Sequence, residues 1–98
     1  MPAYIIAQIK VHDPEEYRKY QSAFMAASKT FGVKVLVATD NAEIIEGDWP
    51  NVRTVIMEYP SIELAKAWYA SKQYQEIIHW RHHSSETNMV LFDGFHSK

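Results

Sequence analysis

The sequence contains no cysteine, and it has only three glycines and four prolines among its 98 residues. Without cysteine, the chain has no disulfide framework, no thiolate nucleophile and no cysteine ligands for zinc, which agrees with our expectation of a cytoplasmic location. The three glycines do not cluster, so the glycine-rich loops that hold the phosphates of ATP, NAD or flavins are not expected. We therefore predict a protein without such a cofactor.

Basic charge and long apolar runs are also scarce. The ten lysines and arginines are scattered and the formal net charge is -2, so no basic stripe is available to neutralise the phosphates of a nucleic acid. No segment approaches the ~20 apolar residues of a membrane span, and the N-terminus lacks the charged start of a signal peptide. Neither a nucleic acid nor a membrane is an expected partner.

The remaining composition is that of one soluble domain spanning residues 1–98, with 47% hydrophobic and 22% charged residues. A chain of this length hides only ~60 to 68% of the surface that its unfolded form exposes. A ligand site is therefore expected to be shallow or shared between subunits.

The first third of the chain predicts a strand followed by a helix. Residues 3–11 alternate between the two faces of a strand. Asp13 can then cap a helix that has Pro14 at its first position, with Glu16 completing a capping box. Aromatic and small residues recur every three to four positions until Gly32, which predicts a helix of about 18 residues.

The remaining two thirds predict further strands and two more helices. Ser61 and Ser71 are placed to cap helices, which accounts for both serines without a nucleophilic role. The pattern predicts strands over 33–38, 43–47, 52–59 and 87–93, the first two as a hairpin, and helices from 62 and over 72–83. This order of elements indicates an α+β fold of the ferredoxin-like, split βαβ type, an antiparallel sheet with its helices on one face.

Both faces of the predicted sheet carry apolar side chains. On the first strand, Ile5 and Ala7 lie on one face, and Tyr4 and Ile6 lie on the other. Helices can cover only one of these faces, so the other needs a second cover, and a second copy of the chain is the simplest source. The sequence therefore predicts a homodimer with its sheet faces packed together.

Several segments resemble a known bacterial family. They are Glu46-Gly47, Arg53, Arg81 and above all the stretch from Tyr59 to Gln75, with the pattern Pro-Ser-x-Glu-x-Ala-x-x-Trp-Tyr-x-Ser-x-x-Tyr-Gln. The chain is similar nearly end to end to the domain of unknown function 1330 family of the dimeric α+β barrel superfamily, although Gly32-Val33 replaces the two glycines common there. The resemblance implies a dimer whose two sheets form a barrel. It implies no activity, because the superfamily includes cofactor-free monooxygenases, lactone isomerases and haem-binding proteins.

Arg53 and Glu46 are the first candidate site residues. A guanidinium at Arg53 can hold a carboxylate through two parallel hydrogen bonds, or it can form an ion pair with Glu46 or Asp48. Glu46 is a candidate general base if it is desolvated, and a structural salt bridge is the alternative.

A second group of candidates lies on the predicted helices. Trp68 and Tyr69 are adjacent, so one of them faces the sheet and the other can line a cleft. Tyr74 and Arg81 are seven residues apart, which places them two turns apart on one helix face. With Arg53, these four residues form a candidate pocket for a small anion, and packing within the core is the alternative role for each.

The histidines are a third group of candidates, for a metal site. His79, His82 and His83 have helical spacing, but no carboxylate stands at a matching position, and histidines suit the last turn of a helix without a metal. We expect no metal site; the resemblance to haem-degrading proteins makes His79 an alternative axial haem ligand, with Trp68 as a pocket wall. His12 and His96 are expected at the surface.

Three functions follow from these candidates. The first is a homodimeric α+β barrel protein that binds a small metabolite, with anions favoured, between sheet and helices. The second is a cofactor-independent oxygenase or isomerase in which Glu46 or a histidine moves a proton. The third is a structural or partner-binding dimer that uses exposed aromatic residues, notably Trp49 and Trp80.

Overall fold

Four antiparallel strands form one sheet in the order β2-β3-β1-β4, and the helices lie on one of its faces. The structure is a computed structural model that describes residues 1–95, so His96 lies outside the described part. Its elements are β1 (Ala3–Val11), α1 (Pro14–Ser28), β2 (Lys34–Thr39), β3 (Arg53–Tyr59), α2 (Ile62–Ala70), α3 (Lys72–Gln75), α4 (Ile78–Ser84) and β4 (Ser85–Asp93). The predicted ferredoxin-like α+β fold is confirmed.

The predicted helix caps are confirmed. The Asp13 side chain accepts a hydrogen bond from the backbone N–H of Glu16 at the start of α1. The Ser61 and Ser71 hydroxyls accept the corresponding bonds at the starts of α2 and α3, at 3.1 Å each. Each cap satisfies a backbone donor that the first turn of a helix leaves without a partner.

The predicted end of the first helix is also confirmed. A 3-10 turn, Lys29–Phe31, follows α1, and Gly32 then adopts the left-handed conformation with φ of 77°. A Cβ atom at Gly32 would lie 2.8 Å from the Pro60 ring, so the position requires glycine for both its conformation and its space.

Two predicted elements are wrong in detail. Residues 43–47 form no strand: β2 pairs with β3 instead of with this segment, and residues 40–52 connect the two strands as a loop. The helix predicted over 72–83 is divided into α3 and α4 by a turn at Glu76 and Ile77. The β2–β3 pairing contains an irregularity between Val35 and Val37, a β-bulge in the edge strand.

The helix-covered face of the sheet carries the core. Ile5, Ala7 and Ile9 of β1 are buried on this face, and Met57 and Tyr59 join them from β3. Trp68 of α2 lies at the centre of an aromatic cluster above this face, fully buried, and its indole N–H donates to the Ser28 hydroxyl at 2.8 Å.

The opposite face of the sheet has no helix over it in residues 1–95. Val37, Ile56, Ile6 and Val90 occupy one cross-strand row on this face, in the order of the four strands. Phe92 lies beside this row, and Val90 and Phe92 are 50% and 53% exposed. The structure therefore contains the apolar second face that the alternation in β1 predicts.

Within residues 1–95, no helix is both long enough and apolar enough to cross a membrane.

Candidate functional site

A cleft lies between the helices α2 and α4 and the edge of the sheet formed by β4. Its volume is about 610 Å³, and we call it the large cleft. Its wall combines an apolar floor from the sheet with a polar rim from the helices and the start of β4. The residues that line it are Ile5, Ala65, Lys66, Tyr69, Arg81, His82, Ser85, Thr87, Met89, Val90 and Leu91.

Arg81 supplies a buried positive charge to the large cleft. Its side chain comes from α4, and the residue is only 3% exposed. Its Nε atom is buried and has no hydrogen-bond partner in the described residues. No carboxylate of residues 1–95 lies within 4.0 Å of its guanidinium, so the charge has no ionic partner there.

The guanidinium of Arg81 rests on aromatic groups instead. Its Cζ atom lies 5.8 Å from the centre of the Tyr20 ring, within the range of a cation–π contact. The hydroxyl groups of Tyr20 and Tyr74 lie 2.6 Å apart in a buried hydrogen bond. Burial acts to lower the pKa of Arg81, but the nearby Tyr74 and Tyr20 outweigh it, so the pKa stands above its usual value and the group is charged at neutral pH.

The rim of the large cleft carries two further basic side chains. Lys66 of α2 and His82 of α4 line it, both on exposed residues. Desolvation, the charge of Arg81 and the neighbouring His83 lower the pKa of His82 below its usual value. His82 is therefore a neutral imidazole at neutral pH, able to accept a proton, while Lys66 and Arg81 favour an anion.

The structure gives different positions to Trp68, Tyr69 and Tyr74, whose roles the sequence leaves open. Trp68 faces the core, and Tyr69, 42% exposed, lines the large cleft. Tyr74 is fully buried beneath it, and its ring centre lies 4.1 Å from that of Trp68. Tyr74 and Arg81 remain close despite the break between α3 and α4. The charge of Arg81 acts to lower the pKa of Tyr74, but burial has the larger effect and raises it.

A second, smaller cleft of about 150 Å³ lies between α1 and the middle of the sheet, and we call it the small cleft. It is mostly apolar, and its basic group is Arg53. The lining residues are Ala7, Ile9, Tyr17, Tyr20, Gln21, Phe24, Val35, Ala38, Arg53, Val55, Met57 and Met89.

Arg53 is partly engaged with a partner that the sequence does not indicate. Its Nη1 atom lies 3.6 Å from Asp40, rather than beside Glu46 or Asp48, and the Asp40 side chain is 73% exposed. The Nε atom of Arg53 is buried without a hydrogen-bond partner, like that of Arg81. Desolvation raises the pKa of the adjacent Tyr17, and the charge of Arg53 partly offsets this rise.

The remaining candidates lie away from both clefts. Glu46 is exposed in the loop over 40–52; it lines neither of these clefts and instead borders a separate hollow of about 410 Å³ that this loop forms with Trp49. Trp49 is 44% exposed, whereas Trp80, expected at the surface, is half-buried and packs against the core.

The histidines do not form a metal centre in the described residues. The rings of His79 and His83 lie 6.1 Å apart, and His83 is 3.7 Å from Glu16. Within residues 1–95, no group of three or more histidine or acidic side chains is placed to hold a metal ion. His12 is exposed, as expected.

Sequence reasoning missed several residues that line the clefts. Lys66 stands three positions before Tyr69 on α2, so helical spacing could have found it, whereas His82 was considered as a metal ligand and not as a residue of the pocket. Ala7 and Met89 carry no such signal, because the sequence does not show which core side chains lie beside a cleft.

The sequence matches the family described as Domain of unknown function (DUF1330) over residues 2–95. The chain belongs to the DUF1330 family. No curated protein matches this DUF1330 chain.

Solved structures share the fold of this DUF1330 chain. RPA0582, a protein of unknown function from Rhodopseudomonas palustris, is 15% identical, with a TM-score of 0.76 over 98% of this chain and 84% of that chain. SnoaB, a cofactor-independent oxygenase from Streptomyces nogalater, is 12% identical, with a TM-score of 0.68 over 98% and 95%. Rv0793 from Mycobacterium tuberculosis is 11% identical, with a TM-score of 0.63 over 99% and 98%. At these identities the similarity shows the shared fold alone.

Proposed function

We propose that the protein is a homodimer that binds a small metabolite bearing a carboxylate in the large cleft of each subunit. The observation that carries this proposal is the environment of Arg81. Arg81 is only 3% exposed, and its guanidinium has no acidic partner within residues 1–95. It is therefore an unbalanced buried charge.

An unbalanced buried charge costs stability, because the group loses its hydration and gains no ion pair in return. A ligand carboxylate can supply the missing partner and form two parallel hydrogen bonds with the guanidinium. The free Nε atom of Arg81 offers one of the donors for such a pair. Lys66 at the rim adds a second positive charge that attracts an anion.

The shape of the large cleft indicates the rest of the ligand. Met89 and Leu91 provide an apolar floor, and the Tyr69 ring provides an aromatic wall. A volume of about 610 Å³ matches the range of sites for small organic molecules. The ligand class that fits is a carboxylic acid with an apolar or aromatic body.

Isothermal titration calorimetry with benzoate and decanoate tests this proposal. We expect the unmodified protein to bind at least one of these acids and Arg81→Met to bind neither, because the variant keeps the side-chain volume and removes the charge. Arg18→Met on the exposed surface of α1 is the matched control and should bind as the unmodified protein does. Circular dichroism confirms that each variant is folded. Equal binding by Arg81→Met and the unmodified protein would contradict the proposal.

The dimer part of the proposal rests on the uncovered face of the sheet. The row of Val37, Ile56, Ile6 and Val90 gives this face a continuous apolar stripe across all strands. A second copy of the same face is self-complementary and removes both stripes from water. Each helix-covered face, with its clefts, would then remain on the outside of the dimer.

His82 favours a second candidate function, a cofactor-independent enzyme that begins with proton abstraction. The lowered pKa of His82 leaves its imidazole neutral, and His82 lines the large cleft together with the charged Arg81. A bound acid can therefore lose a proton to the imidazole. NMR can detect this step as deuterium uptake from D₂O into an enolisable acid such as 2-oxobutyrate. Uptake should fall in His82→Asn and persist in the control His12→Asn. An uptake no faster than the uncatalysed rate would exclude this candidate for that class of acid.

A further inference from the structure

We propose that the large and small clefts are the two ends of one elongated site, divided by the side chain of Met89, and that this site takes a linear dicarboxylate. The inference rests on the proposed function, because it assigns the large cleft to one carboxylate of the ligand. It adds that the small cleft holds the other carboxylate, beside Arg53.

A single row of side chains lines the small cleft and reaches the large cleft at Met89. Met89, Ala7, Val55 and Ala38 are cross-strand neighbours on the helix-covered face, in the order β4, β1, β3 and β2. With strands about 4.8 Å apart, the row extends about 14 Å across the sheet. Alanines at two of its four positions leave a hollow under α1 that larger side chains would fill.

Met89 stands where the two clefts meet. It lines both of them, and its partner across the strands is Ala7, which is too small to restrict it. A methionine side chain is unbranched and has several rotatable bonds, so it can change position at little cost. A partition made by this residue is one that a ligand can displace.

Each end of the proposed site has an arginine with an unused donor. The Nε atoms of Arg81 and Arg53 are both buried and have no hydrogen-bond partner. The contact of Arg53 with Asp40 does not occupy its guanidinium fully, because the two groups are 3.6 Å apart and the Asp40 side chain is 73% exposed. A pair of this kind at the surface contributes little.

A row of tyrosine rings connects the surroundings of the two arginines. Tyr17, Tyr20 and Tyr74 follow one another, with successive ring centres 5.7 and 6.1 Å apart. No aspartate or glutamate lines either cleft within the described residues. The ligand would therefore supply both negative charges, and an apolar chain between them suits the Met89 row.

Calorimetry with decanoate and its dicarboxylate counterpart, sebacate, tests the inference. The two probes differ in the second carboxylate. A second charge-assisted contact should give sebacate about tenfold higher affinity than decanoate. Arg53→Gln should reduce the affinity for sebacate to about that for decanoate, whereas Arg18→Gln, the matched surface control, should preserve the advantage.

The methionine methyl groups provide an independent readout. In protein with ¹³C-labelled methionine methyls, sebacate should shift the Met89 resonance, because the ligand must displace this side chain. Benzoate, which is short enough for the large cleft alone, should shift it less. Met25 is 49% exposed on α1 and is the internal control, and neither probe should move its resonance.

The outcomes separate this inference from the proposed function. If decanoate and sebacate bind equally, and Arg53→Gln changes neither while Arg81→Met abolishes both, the elongated site is wrong and the large cleft remains the site. If neither acid nor benzoate binds the unmodified protein, both proposals are wrong. A loss of the sebacate advantage in Arg53→Gln alone supports the elongated site.

Discussion

The hydroxyl oxygens of Tyr20 on α1 and Tyr74 on α3 lie 2.6 Å apart in the core, and this hydrogen bond joins two elements that are 54 residues apart in the chain. Replacing either tyrosine by phenylalanine leaves the other hydroxyl buried without this partner. Each single variant should lower the free energy of unfolding by about 1 kcal/mol, and the double variant should lose less than the sum. Urea denaturation of the four proteins measures the coupling. Strictly additive losses would mean that the bond does not contribute.

The buried tyrosines also predict a loss of stability at alkaline pH. Burial raises the pKa values of Tyr20, Tyr59 and Tyr74 above the ordinary value of 10.0. The unfolded chain releases these protons once the pH passes that value, and the folded protein retains them. These tyrosines should therefore make the free energy of unfolding fall as the pH rises above about 10. Denaturant midpoints across this range check the prediction, and Tyr20→Phe should show a shallower fall than the unmodified protein.

Gly32 and Gly47 offer a matched test of backbone strain against steric contact. Both have φ of 77°, but a Cβ atom would meet the Pro60 ring at 2.8 Å from Gly32 and would meet nothing within 4 Å from Gly47. Gly47→Ala should cost about 1 kcal/mol, from the left-handed conformation alone. Gly32→Ala should cost more, because Pro60 must also move. Thermal unfolding measures both variants, and equal losses would contradict the steric part.

The dimer proposal predicts that one charge on the uncovered sheet face separates the subunits. Ile6 lies at the centre of the apolar row, so Ile6→Glu would place a carboxylate against the partner's apolar stripe, where it has no counter-charge. Analytical ultracentrifugation at micromolar concentration should find a dimer for the unmodified protein and a monomer for this variant. Ile45→Glu, in the exposed loop where Ile45 is 89% exposed, should remain dimeric. A monomeric unmodified protein would contradict the dimer proposal.

His82 should report on occupation of the large cleft. Its pKa is lowered by desolvation, by Arg81 and by His83, so the imidazole should titrate below the ordinary value of 6.5 in the free protein. A carboxylate bound at Arg81 would offset that positive charge and raise the pKa of His82. NMR titration with and without benzoate measures the change. The reverse sign, a further lowering, would place the ligand elsewhere.

The sequence predicted the elements whose signals are local. The caps at Asp13 and Ser61 depend on a few adjacent residues, as does the end of the helix at Gly32, and all three are confirmed. The strand predicted over 43–47 depended on its apolar pair, Ile44 and Ile45. That prediction was wrong: β2 pairs with β3 instead, and residues 40–52 connect these two strands as a loop.

The candidate site was predictable only for its large polar residues. Arg53 and Arg81 are candidates because the sequence has only three arginines, and the structure places each of the two beside a cleft. The clefts themselves depend on where helices pass over the sheet and on what is small beneath them. Ala7 is indistinguishable from an ordinary core residue until its cross-strand neighbours are known.

The bulge in β2 limits how this protein can associate. An edge strand with regular spacing displays unpaired backbone groups to which a strand of another molecule can add, the first step of many aggregates. The irregularity between Val35 and Val37 breaks that spacing on the β2 edge. Two chains would then be poorly matched along this edge, and contact through the apolar face of the sheet would be favoured. The extra residue in β2 would thereby disfavour open-ended growth of the sheet from this edge.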